Sequence, residues 1–134
     1  MSEHPNAAVI RSAYEAMDRG DVAAFAALLG DDIIWYESTS GMEGVYRGRD
    51  EVMAFLGQVF QQSGMQMSVV IHDVLANDEH GVILHESTIT VGDRSHTGQY
   101  ADVYHLRDGK LTAHWHLAVD AKADAEFASQ VFTS

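Results

Sequence analysis

Cysteine is absent from this 134-residue sequence, so it holds no disulfide framework, no thiolate nucleophile and no cysteine-bound zinc or iron–sulfur cluster. Proline occurs once, at Pro5, and there is no low-complexity tract, which argues against extended disorder. Positive charge is scarce: eight Lys and Arg stand against twenty Asp and Glu, for a formal net charge of −12. Binding phosphates takes clustered cations, so this balance argues against a nucleic-acid partner, and an anionic membrane surface would repel the chain. No apolar run approaches the roughly 20 residues needed to cross a bilayer. The first six residues lack both the basic and the apolar stretch of a secretion signal, so the expected location is cytoplasmic.

What remains is a globular composition, 46% hydrophobic and 21% charged, at a length suited to one core. The expectation is a single domain over 1–134, with loose tails at 1–5 and about 128–134. Asn6 is placed to cap a helix running to about Arg19, with Val9, Ile10, Ala13, Tyr14 and Met17 at helical spacing and Gly20 as a left-handed stop. Asp21 caps a second, short helix ending at Gly30, and Ile33 to Glu37 reads as a strand with Ile33, Trp35 and Glu37 on one face. Ser38 to Gly48 reads as a loop, followed by a third helix capped by Asp50 and ending near Gln62. Four strands follow, Gln66–Leu75, Val82–Val91, Ser95–Leu106 and Leu111–Val119, joined by turns at Asn77-Asp78, Gly92-Asp93 and Asp108-Gly109. Three helices and then an antiparallel meander make an α+β order, with the Ala-rich end from Ala121 either a short helix or a tail.

Four segments in this order resemble the nuclear-transport-factor-2-like superfamily, in its polyketide-cyclase-like (SnoaL-like) and ketosteroid-isomerase-like branch. They are Tyr14 to Asp21, Leu28 to Trp35, Tyr46 to Asp50, and Asp102 to Leu111. The resemblance implies a curved, mostly antiparallel sheet closed by three helices into a cone-shaped pocket for a small apolar or aromatic ligand. It also implies a homodimer through the outer sheet face, to which Ile89, Val103 and His105 are placed to contribute. The fold hosts isomerases, cyclases, dehydratases, epoxide hydrolases and non-catalytic members, so the reaction has to be read from the pocket.

By that resemblance Glu37 stands where the isomerase pattern has its general base. Next to Trp35 and Ile33 a carboxylate is drawn out of water, which strengthens it as a base; the alternative is a rim carboxylate facing solvent or Arg47. Asp102 stands where the pattern has a buried neutral acid that donates to an oxyanion, or else it is a structural carboxylate holding a backbone group or a histidine. The tyrosine donor of that pattern aligns with Ala13, while Tyr14 lies one residue later, turned about 100° around the helix. This departure speaks against steroid-type isomerisation and leaves Tyr14 as a ligand contact.

His114 and His116 share one strand face and can shuttle a proton near neutral pH, or they are satisfied core histidines around Trp115. His85 and Glu86 face opposite ways, and alternation alone leaves open which points inward; the scytalone-dehydratase type has a histidine near this position. Trp35, Tyr46 and Tyr104 are the other candidate ligand contacts. A metal at His114-Trp115-His116 lacks the further ligands expected downstream, so neither metal nor cofactor is expected. Two functions stay open: cofactor-independent acid–base catalysis on a small ketone, enol or polyketide-like molecule, and a non-catalytic ligand-binding or dimerisation module.

Overall fold

The computed structural model describes residues 3–39 and 41–132. Helix α1 (Pro5–Asp18) and the short α2 (Val22–Ala27) precede β1 (Leu29–Glu37) and β2 (Gly44–Arg47), and α3 (Arg49–Ser63) leads into β3 (Gln66–Ala76). Strands β4 (His80–Val91), β5 (Arg94–Arg107) and β6 (Lys110–Ala118) complete the sheet before α4 (Ala121–Val131). The strand order is β2-β1-β6-β5-β4-β3, antiparallel throughout except where β1 runs parallel to β6. Helices α1 and α3 lie over one face of the sheet, so one face meets the helices and the other stays open.

Local chemistry sets most boundaries. Asp21 caps α2 by accepting from the Ala24 amide at 3.0 Å. Asp108 and Gly109 both have positive φ, 54° and 75°, the conformation a two-residue hairpin between β5 and β6 requires. Asn77 Oδ1 accepts from the Glu79 and His80 amides, closing the β3–β4 turn.

Several expectations are corrected. Helix α1 begins at Pro5, which suits a first turn because its missing N–H needs no partner, and His4 is the cap, accepting from the Asn6 amide. Asn6 instead spends its side-chain N–H groups on the Asn77 and Asp78 carbonyls, tying the helix to the β3–β4 turn. Helix α2 stops at Ala27, short of Gly30, which belongs to β1. The segment read as a loop contains β2, an edge strand of four residues, too short to show a period. Gly48, at φ 88°, precedes α3 in place of Asp50, whose charge lies in the first turn near the positive end of the helix dipole. The described residues form four helices, not three: the chain from Ala121 to Val131 is α4, capped by Asp120 with Ala128 buried, so that stretch is no loose tail. Of the expected tails, residues 1–2 and 133–134 lie outside the described residues.

On β5, burial alternates strictly, with Tyr100, Asp102, Tyr104 and Leu106 inward. The Tyr100 ring lies back over Gly98, where a Cβ would come within 2.6 Å of Cζ, and its hydroxyl donates to Asp124 of α4 at 3.1 Å. A Gly98→Ala substitution is therefore expected to push the ring off, break its contact with α4 and cost about 1–3 kcal/mol in a urea unfolding titration. A loss no larger than that of an ordinary exposed substitution would show that the ring position is not built on this glycine.

Candidate functional site

Strand register assembles the site. Asp102 on β5 is directly opposite His116 on β6, Tyr104 is opposite His114, and His114 is in turn beside Trp35 of β1. On the other side of β5, Tyr100 pairs with His85 of β4, so His85 is diagonal to Asp102. All these side chains are on the face covered by α1, from which Tyr14 descends onto Asp102.

Asp102 is the hub and is 3% exposed. Its Oδ2 accepts from the Tyr14 hydroxyl in a short hydrogen bond and from His85 Nε2 at 2.9 Å, while its Oδ1 accepts from His116 Nδ1 at 2.5 Å. His114 Nε2 lies 3.8 Å from Oδ2. With the Tyr14 proton committed to Asp102, the 2.7 Å contact between Tyr14 and Tyr104 has the Tyr104 hydroxyl donating. His85 accepts at Nδ1 from Ser87, a buried hydroxyl 2.8 Å away, which fixes the ring with its proton on Nε2.

Burial alone would raise the pKa of Asp102, but the imidazole of His114 at 3.8 Å and the hydrogen bonds from His116 and His85 outweigh it and hold the carboxyl well below the usual range. Asp102 is held toward its ionised, accepting form; of the two readings the sequence left open, its partners match the structural carboxylate holding histidines and not the neutral donor of the isomerase pattern. Burial pushes His116 down, yet its hydrogen bond to Asp102 and the charges of Asp102, Glu37 and Asp124 raise it overall. Tyr14 and Tyr104 are driven upward by burial first and then by the Asp102 charge, so both remain phenols.

Beside this cluster is a cavity of about 460 Å³. Tyr14, Trp35, Glu37, His85, Asp102, His114 and His116 all line it, so seven of the nine candidate side chains meet there. The remainder of its wall is mostly apolar, with Asp21, Thr39 and Gln61 as the polar exceptions, and contains four of the six methionines, Met17, Met53, Met65 and Met67. Unbranched thioether side chains adapt to varied ligand shapes. The lining includes no Lys or Arg. A hollow of about 470 Å³ on the opposite sheet face, along Val70, Glu86 and Leu117, holds no comparable hydrogen-bonded cluster.

Glu37 stands at the cavity rim, half-buried, and accepts from Trp35 Nε1 at 3.1 Å and from the Thr39 amide and hydroxyl. Its partners are these donors and not Arg47. His85 points inward and Glu86 outward, which resolves the open choice on β4. Three placements are corrected. Tyr46 stacks on Phe55 at 4.0 Å away from the cavity, and Tyr104 is fully buried behind Tyr14. Ile89 lines the cavity and so cannot serve an outer-face dimer. The pitch and rotation of α1 against the sheet aim Tyr14, and not Ala13, at Asp102, and the Tyr14 hydroxyl is committed to that carboxylate. Ser87 was missed, although its place two residues from His85 on one strand was a usable signal.

The family model for the SnoaL-like domain matches residues 10–114. A protein of Mycobacterium tuberculosis, Rv0034, is 30% identical over 84 residues, 62% of this chain and 64% of that protein, so the chain spans just under two thirds of that relative. Among solved structures, an NTF2-like protein of unknown function from Burkholderia pseudomallei superposes with a TM-score of 0.81 at 23% identity, covering 98% of this chain and all of the other. An LEH-like epoxide hydrolase of M. tuberculosis superposes with a TM-score of 0.73 at 17% identity, covering 96% and 97%. At such identities these two structures establish the fold alone.

Proposed function

Because this chain belongs to the SnoaL-like domain family, whose fold encloses a small-molecule pocket, we propose that it is a cofactor-independent acid–base enzyme acting on a small apolar ketone or enol. The observation that carries this reading is the 2.5 Å hydrogen bond from His116 Nδ1 to Asp102 at the cavity wall. A buried carboxylate on Nδ1 fixes the imidazole tautomer, leaves Nε2 as the basic nitrogen, and stabilises the imidazolium once a proton is taken.

In this mechanism a carbonyl compound enters with its apolar body against the methionine and aromatic wall. His116 Nε2 removes a proton from the carbon α to the carbonyl, and the electron pair moves into an enolate. The new imidazolium, held between Asp102 and the enolate, is both counter-ion and acid, and returns the proton to a different atom. Tyr14 and His85 orient Asp102. Glu37, on the rim, adds negative charge that favours protonated His116. Isomerisation, ring closure and elimination all share this first step.

The common step sets the test. Incubation with a panel of cyclic and aryl ketones and 1,3-dicarbonyls in D₂O, followed by proton NMR, is expected to show α-proton exchange faster than in buffer for at least one compound, and none of that acceleration once the cavity is blocked by Gly57→Trp, a lining position with open space around an added Cβ. Compounds that bind, as seen by perturbed ligand signals, without any accelerated exchange would overturn the enzyme reading in favour of a binding module.

A further inference from the structure

His85, Asp102 and His116 have a second capability that proton transfer does not use. One ligand atom from each lies within 4.8 Å of the others, and this is the one group of three such side chains among the described residues; the nitrogens nearest the Asp102 carboxylate are His85 Nε2 and His116 Nδ1. The metal-ligand pair considered on sequence grounds was different, His114 with His116, because strand alternation shows neighbours on one strand and not across strands. We propose that His85, Asp102 and His116 form a buried site for a divalent transition-metal ion of the zinc or cobalt type, with an open coordination position facing the cavity.

Donor chemistry supports it. Two imidazoles and one carboxylate suit zinc or cobalt, with metal–ligand bonds of about 2.0–2.2 Å and neighbouring donor atoms then about 3.4 Å apart in a tetrahedron. The present separations, 2.9 Å from His85 Nε2 to Asp102 Oδ2 and 2.5 Å from His116 Nδ1 to Oδ1, are hydrogen-bond lengths to the two oxygens of one carboxylate. A cation would replace the bridging protons and widen each gap by under about 1 Å.

Supporting contacts are also in place. Metal-bound histidines usually give their other ring N–H to an acceptor. When His85 Nε2 binds metal, its proton moves to Nδ1, and Ser87 Oγ, now a donor to that nitrogen at 2.8 Å, rotates to accept. His116 gives up its Nδ1 proton to solvent when cationic, or shifts it to Nε2 when neutral. Tyr14 goes on donating to Asp102 Oδ2. A further imidazole, His114, has Nε2 3.8 Å from that oxygen, while its buried Nδ1 has no hydrogen-bond partner among the described residues, so no acceptor holds the ring in place.

Metal binding and the acid–base step are alternative states of the same residues, since the ion takes the place of the Nδ1 proton that holds His116 on Asp102, and the proposal is tested without ligand or turnover. Tag-free, chelator-treated protein is titrated with Co²⁺ and followed by visible absorption and calorimetry. One equivalent should bind with a d–d spectrum of a four- or five-coordinate site, displaced by Zn²⁺ and weakened as pH falls because protons compete. His85→Ala should abolish the spectrum, and Ser87→Ala, which removes only the supporting acceptor, should weaken binding by about 10–100-fold. His96→Ala, at an imidazole–carboxylate pair 2.7 Å apart between β5 and α4, should leave the spectrum unchanged. Absence of the spectrum from the parent protein, or a spectrum lost with His96→Ala and retained in Ser87→Ala at full affinity, overturns the proposal.

Discussion

Asp102→Ala is expected to lower stability by about 3–5 kcal/mol and the unfolding midpoint by roughly 10–20 °C, the largest loss of any single polar substitution in this chain. Alanine removes the one acceptor shared by Tyr14, His85 and His116, and leaves their donors buried in a space with no replacement. Asp102→Asn preserves the volume and supplies one acceptor oxygen, so it should fall between the alanine variant and the parent. Differential scanning calorimetry of the three proteins decides it: an alanine variant within about 1 kcal/mol of the parent would mean that the cluster rearranges freely and holds nothing together.

The same cluster sets a pH dependence. Asp102 has a depressed pKa when folded, so its contribution is complete above the unfolded carboxylate value, about 4, and is lost as pH falls through the folded value. His116 has a raised pKa when folded, so its contribution is complete below the unfolded imidazole value, about 6.5, and is lost as pH rises through the folded value. Stability from this pair should therefore be greatest between about pH 4 and 6.5. Asp102→Asn should flatten both slopes, since each shift depends on the Asp102 charge.

His116→Gln is expected to cut α-proton exchange by about 10²- to 10⁴-fold while leaving ligand affinity within a few-fold, because glutamine can reach Asp102 but cannot take a proton. For the parent protein the rate should rise with pH through the raised His116 value, since only the neutral ring is a base. NMR exchange rates for both proteins from pH 5 to 9 provide the measurement. Exchange that survives in His116→Gln with an unchanged pH profile would move the base to Glu37, the carboxylate at the cavity rim.

Much of this site is legible one element at a time. The helical repeat in α1, the Asp21 cap and the Asp108-Gly109 hairpin follow from interactions spanning a few residues, so composition and spacing determine them. Strand alternation likewise places Asp102 with Tyr100 and Tyr104, and His114 with His116, on single faces. Elements that are short or without a period, such as β2, stay hidden.

Only the tertiary structure decided what those faces meet. Asp102 and His116 are 14 residues apart and Tyr14 is 88 residues from Asp102; their contacts depend on the β5–β6 register and on the rotation of α1 against the sheet. A one-residue slip in that register would point the histidines outward. The charge state of Asp102 belongs to the same level. Sequence by itself determined that Asp102 shares a strand face with Tyr100 and Tyr104, and His114 with His116, because side-chain direction is a local property, and it left open whether His85 or Glu86 would join them. That the carboxylate is ionised was decided by three imidazoles arriving from neighbouring strands, since desolvation and charge are summed over space and not along the chain.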